Sequence, residues 1–238
     1  MVLLILLLAG AAAAQTREPG PLPAYQVKRA AGRIAVDGRL DEADWKQAPA
    51  LTLLFPWEQQ TGARQRTAVR LLWNAEALYA GYDCDDLDIV AHFEKRDDPT
   101  YRDDAVEFFI NPDPSQDFYY GLEMNARAVL YDYFRAFPRV GIKRLDFTGV
   151  QLATHLRGTL NVTSDRDQGW TLELAIPWHN FQELARRLPP EPGTEWRANL
   201  NRWDGTEPNR RLSLWSDSAT ERPSPHNPAR FGRLVFAE

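Results

Sequence analysis

Residues Gly169–Trp178 read GWTLELAIPW, and the alternation in this stretch decides the fold class. Trp170, Leu172, Leu174 and Ile176 fall on one phase, and Thr171, Glu173 and Ala175 on the other. A period of two marks a β-strand with one face in a core, because successive side chains leave a strand on opposite sides. Working outward, TAVRLLW (Thr67–Trp73) sets Val69, Leu71 and Trp73 against Arg70 and Leu72. DDAVEFFINP (Asp103–Pro112) sets Val106, Phe108 and Ile110 against Ala105, Glu107 and Phe109. YYGLEMNARAVLYD (Tyr119–Asp132) sets Tyr120, Leu122 and Met124 against Tyr119, Gly121, Glu123 and Asn125. Short half-buried strands in series predict an all-β, two-sheet antiparallel β-sandwich of immunoglobulin or jelly-roll type. Val69, Leu71, Trp73, Val106, Phe108, Leu122, Leu172 and Leu174 are its expected core.

Helix is scarce. Asp41 can cap one turn through Trp45, and Asn180–Arg187 has helical spacing closed by Pro189-Pro190. Asp97–Arg102, Pro112–Asp117 and Ala136–Leu145 read as loops. Asn161-Val162-Thr163 has the form of a glycosylation acceptor.

The chain opens MVLLILLLAGAAAAQ. Its apolar run is too short to span a bilayer, and the small residues after it suit cleavage of a secretory leader. Residues 1–14 are therefore expected to be a signal peptide, Gln15–Pro23 an exposed lead-in and residues 24–238 one domain. The expected location is secreted or periplasmic. With 28 basic and 33 acidic side chains the formal charge is −5, which argues against nucleic acid or an anionic membrane as partner. The lone Cys84 forbids an intramolecular disulfide and, at the end of an apolar strand, reads as a small buried hydrophobe.

Arg70, Glu107, Glu123, Asn125 and Glu173 lie on the non-core phase of their strands. Asn199 and Asn201 of WRANLNRW (Trp196–Trp203) join them. Such a face is ordinarily just solvated. The supply of aromatics suggests more. Trp57, Trp203 and Trp215 stand beside polar loops with no apolar alternation requiring burial, and an exposed indole is a platform for the C–H face of a pyranose. Asp83, Asp85, Asp86 and Asp88 cluster after a strand and are weak candidates for structural calcium, since the EF-hand spacing is absent. His92, His155, His179 and His226 lack metal-ligand spacing, so no zinc or other cofactor is expected.

The strands above, in order with VDGRLDEADW (Val36–Trp45), ALYAGYDCDD (Ala77–Asp86) and HNPARFGRLVF (His226–Phe236), resemble the family 9 carbohydrate-binding modules. The resemblance runs from about Ala24 to the C-terminus. It implies a non-catalytic, secreted β-sandwich that grips a mono-, oligo- or polysaccharide between two tryptophans and supports polysaccharide catabolism. Trp215 matches one wall, with Trp57 or Trp203 opposite, and Asn201, Arg202, Glu107 and Asn125 supply hydrogen bonds. Such modules usually accompany a glycoside hydrolase, for which this chain has no room, so it is expected to work alone, to bind sugar for a hydrolase encoded separately, or to keep the fold without sugar binding. Members often carry structural calcium. Two other functions compete. Glu107 with Glu123 could be the carboxylate pair of a glycoside hydrolase. Related sandwiches bind haem b, for which Met124 is the thioether ligand available, though its phase places it in the core.

Overall fold

The computed structural model describes residues 19–136, 140–142 and 146–238. Residues 1–14, expected to be a signal peptide, and residues 15–18 of the expected lead-in lie outside these. The described strands, in chain order, are β1 (Ala24–Arg29), β2 (Leu51–Thr52), β3 (Thr67–Trp73), β4 (Ala77–Asp85), β5 (Ala105–Asn111), β6 (Phe118–Asn125) and β7 (Leu130–Ala136). They continue as β8 (Val140–Ile142), β9 (Gln151–Arg157), β10 (Gly169–Pro177), β11 (Glu195–Asp204), β12 (Arg211–Leu214) and β13 (Gly232–Phe236). One sheet runs β8-β7-β6-β5-β11-β13 and the other β3-β4-β10-β9, with β12 against β11 and β2 against β3. The fold is the all-β sandwich that the alternation predicts.

Strand β1 departs from a plain antiparallel sandwich. It runs parallel to both neighbours, pairing Ala24–Val27 with β13 and then Lys28 and Arg29 with β3. It thereby joins the two sheets into one curled surface.

The core between the sheets holds the expected Val69, Leu71, Trp73, Val106, Phe108, Leu122, Leu172 and Leu174, all buried. Met124 packs there as an ordinary apolar side chain. Burial pushes the Cys84 thiol up to about 12, which keeps it an unreactive hydrophobe at neutral pH. At one end Trp73, Trp178, Trp196 and Phe236 meet edge to face, with Trp178 and Trp196 centroids 6.0 Å apart. At ~25 cal/mol per Å² of apolar area, such rings are among the largest contributors to burial.

Three local expectations are corrected. The helical turn is Ala43–Gln47 (α1), begun at Glu42 with no side-chain cap rather than at Asp41. Asn180–Arg187 is not an α-helix: a 3₁₀ turn over Trp178–Phe181 gives way to turns. Within Ala136–Leu145, read as a loop, Val140–Ile142 pairs with β7, and the rest of that segment after Ala136 lies outside the described residues.

The Val36–Trp45 landmark is structural. The Glu173 carboxylate accepts hydrogen bonds from Asp37 N (2.9 Å), Gly38 N (2.8 Å) and Trp45 Nε1 (2.8 Å), pinning this segment over the outer face of the second sheet. A carboxylate holding donors of this kind is an anchor, and Glu173 is consequently buried rather than solvated.

Candidate saccharide site

The outer face of the first sheet carries the polar residues in register. Asn201 on β11 lies opposite Glu107 on β5, Glu107 opposite Glu123 on β6, and Glu123 opposite Tyr131 on β7. The next row sets Phe109 opposite Gly121, and Gly121 opposite Tyr133. A Cβ at Gly121 would stand 2.3 Å from the Tyr133 ring, so only glycine lets that ring lie down on the sheet. The face is not open to solvent. Loops over residues 91–104 and 218–228 close on it, burying Glu107 and Glu123 and leaving a cleft of about 460 Å³. Trp203, Tyr101, Tyr131 and Tyr133 provide rings in its lining, Glu107, Glu123 and Arg135 provide charge, and Pro223–His226 forms a rim. That volume is within the range of small-ligand sites.

The polar groups are held in place. Asn201 Nδ2 donates to Glu107 Oε2 at 3.1 Å, and Tyr133 OH donates to Glu123 Oε1 at 2.9 Å. Burial raises Glu107 to about 7, against the opposing pull of the Asn201 hydrogen bond, the Arg210 charge and the Trp203 indole. Arg135, which lines the cleft, has its Nε buried without a hydrogen-bond partner, capacity that a polyhydroxylated ligand can fill. His226 stacks on Phe109 with centroids 5.1 Å apart, and its Nδ1 is 2.8 Å from the Tyr119 hydroxyl. Burial, then the Arg135 charge, lowers His226 to about 3, so it is neutral at ordinary pH.

Of the residues expected from sequence to bind sugar, the structure brings Trp203 and Glu107 to this cleft, sets Asn201 behind Glu107 as its buried hydrogen-bond donor, and places the rest elsewhere. Trp215 is only 6 % exposed: its ring lies on Gly232, where a Cβ would stand 2.6 Å away, and it belongs to the main core. The polar Ser216–Ser218 that follows is itself largely buried, so the assumption of an open loop fails. Trp57 is 5 % exposed, packed on Leu212 and Leu214 with its indole N–H donated to Thr220 O at 2.8 Å. Arg202 has the opposite strand phase from Asn201 and is buried among Asp86, Asp204 and Thr67. Asn125 is saturated: its Nδ2 donates to Phe93 O and Asp103 Oδ2, and its Oδ1 accepts from Arg127 N and Val129 N. Sequence reasoning missed Tyr101, Tyr131, Tyr133 and Arg135. The last three share one phase of YDYFR, a signal present in the sequence.

Asp83, Asp85, Asp86 and Asp88 do not converge as a calcium site would require. Asp83 and Asp85 pair with Arg66, and Asp83 also with Arg157. Asp86 instead meets Asp104 and Asp204. Every oxygen of this triad already accepts a hydrogen bond. Asp86 accepts from Asp88 N, Trp170 and Arg202; Asp104 from Val90 N and Gly205 N; Asp204 from Gln65, Arg202 and Arg211. The positive charge is supplied by two guanidinium groups, and the donor set does not fit calcium. Asn161, the glycosylation candidate, is likewise engaged, exchanging hydrogen bonds with Ala91 through both amide atoms.

A β-sandwich with rings, carboxylates and a guanidinium gathered in one cleft is the architecture of a ligand-binding module. The chain belongs to the carbohydrate family 9 binding domain-like family, which it matches over residues 36–238. It is similar in structure to a candidate carbohydrate-binding protein from Bacteroides uniformis ATCC 8492, with TM-score 0.74 and 20% identity over 91% of this chain and 100% of that one. It is also similar to a family 9 carbohydrate-binding module from Caldicellulosiruptor kristjanssonii in complex with cellotriose (TM-score 0.61, 16% identity, covering 90% and 93%). The same comparison with a Caldicellulosiruptor kristjanssonii family 9 module in complex with glucose gives TM-score 0.57 and 16% identity, covering 89% and 95%. At these identities the likeness speaks to fold alone. No curated protein matches the sequence. Among the described residues no helix is long and apolar enough to cross a membrane.

Proposed function

We propose that this chain is a non-catalytic module that holds a saccharide in the cleft lined by Trp203 and Tyr101, outside the cytoplasm, in the service of polysaccharide breakdown by a glycoside hydrolase. The observation that carries the reading is the convergence of rings and charged hydrogen-bonding groups in the 460 Å³ cleft. Sugars need both: an apolar ring face for their C–H groups, and carboxylate, amide or guanidinium for their hydroxyls. The cellotriose and glucose carried by the Caldicellulosiruptor modules support a glucose-based ligand. The leader-like Met1–Ala14 supports export.

Calorimetric titration of glucose and cellotriose into the wild type and Trp203→Ala tests this. Loss of a central aromatic anchor costs about 2 kcal/mol or more, a factor of roughly thirty in Kd. Equal affinity in the two proteins, with both folded by circular dichroism, would place the sugar elsewhere.

A further inference from the structure

The outer face of the second sheet carries a separate basic cavity of about 350 Å³, bounded by Arg39, Leu40, Trp45, Lys46, Arg70 and Arg157. Its cationic character stands against a formal charge of −5 for the whole chain. The carboxylates near it do not neutralise it. Asp83 is bound by Arg66 (2.9 Å) and Arg157 (3.0 Å). Glu173, which shares with Arg70 the strand neighbour Gly81, is occupied by Asp37 N, Gly38 N and Trp45. The exposed Asp41 is the one other acid in the lining. Arg70 forms no hydrogen bond or ion pair with any described residue, and its Nε is buried without an acceptor. A buried guanidinium N–H that lacks an acceptor is unfavourable, and an oxyanion relieves it while matching the fork of donors.

We infer that this cavity is a second binding site, for the oxyanion of an acidic saccharide, with Arg70 as its central donor and Arg39 and Lys46 as flanking charges. The Leu40 and Trp45 side chains give the cavity an apolar wall, and its volume exceeds what a bare inorganic anion fills. A hexuronate, with a carboxylate at one end of an apolar ring face, satisfies both. A sulfated sugar offers the same chemistry. The site is independent of the Trp203 cleft, since the two lie on different sheets.

The test is titration of glucuronate, glucose 6-sulfate, glucose and inorganic sulfate into wild type, Arg70→Gln, Arg39→Gln/Lys46→Gln and Trp203→Ala. The expected result is binding of at least one acidic sugar by the wild type, weakened tenfold or more by Arg70→Gln and unchanged by Trp203→Ala. Which acidic sugar binds more tightly identifies the oxyanion. Both lining residues of the double variant are exposed, so it reports on the site even if Arg70→Gln fails to fold, and it should weaken binding at least threefold. No binding of either acidic sugar, binding indifferent to the substitutions, or inorganic sulfate binding as tightly as the sugars would each overturn the inference. Loss of acidic-sugar binding in Trp203→Ala would assign it to the first cleft instead. Loss of glucose binding alone in that variant bears on the first cleft and leaves this site standing.

Discussion

The Arg210 guanidinium lies 4.7 Å from the centroid of the Trp203 ring and also donates to the carbonyl oxygens of Tyr101 and Asp103. One side chain thus braces two parts of the cleft lining, stacking on the ring of one and holding the backbone of the other. A cation over an indole contributes about 0.5–2 kcal/mol depending on desolvation. Arg210→Ala should therefore weaken saccharide binding by about three- to tenfold, chiefly through faster dissociation. Arg210→Lys, which keeps charge and loses the planar fork, should fall between. Surface plasmon resonance on the three proteins checks both points, and unchanged dissociation rates would remove the bracing role.

Trp215→Ala should behave as a core truncation. Removing a buried tryptophan costs about 3–5 kcal/mol, because the ring leaves a void over Gly232 that no Cβ fills. Urea denaturation should show that loss, while glucose affinity measured well below the new midpoint stays within about twofold of wild type. A stable variant with abolished binding would show that the ring serves the ligand after all.

Glu107→Gln separates binding from turnover. The amide keeps the shape and removes the charge, and a hydrogen bond to a charged acceptor is stronger than one to a neutral acceptor by about 1 kcal/mol, so affinity should fall about fivefold. With Glu107 near pH 7, the wild-type affinity should itself decline as pH drops from 8 to 6, and the variant should lose that dependence. Reducing-sugar assays should find no hydrolysis in either protein. Hydrolysis present in the wild type and absent in the variant would make Glu107 and Glu123 an enzyme's carboxylate pair.

Burial sets the direction of the pH dependence of stability. Asp104 is raised to about 8 by burial and the neighbouring Asp86 and Asp204 charges, and Glu107 and Glu173 are raised to about 7 by burial. Folded pKa values above the unfolded ones mean that the native state binds more protons, so stability falls as pH rises through these values. His226, lowered to about 3, acts oppositely, but only below its unfolded value near 6.5. Between pH 6.5 and 8.5 the carboxylates act alone, and Tm should drop across that interval. Asp104→Asn should flatten the drop. A Tm that rises from pH 6.5 to 8.5 would contradict this.

Much of the fold was legible because strand phase is a local property. Val69, Leu71, Trp73, Phe108 and Leu172 could be assigned inward from their immediate neighbours, and Glu107 and Asn201 outward by the same logic. Phase does not report what covers an outward face. Glu173 and Asn125 are outward, yet one is sealed by Val36–Trp45 and the other by the loop through Phe93 and Asp103. The fate of Trp57 and Trp215 depended on partners far along the chain, Thr220 and Gly232, and so was invisible to local reading. Tyr131, Tyr133 and Arg135 were within reach, since their alternation is as regular as that of β10.

Strand β1 has a bearing on how the molecule is made. Val27 is registered with Phe236, so β1 finds its partner on the first sheet only when residues through 236 are available. Loop-closure entropy and contact order both put such a pairing late and make folding slow. During synthesis β1 can meet β3 early, but its other flank and that of β11 stay unsealed until β13 emerges, so the seam between the two sheets is the last to close. Truncation before Gly232 would leave two open edges rather than a slightly smaller sandwich, and such edges are prone to pair with other chains.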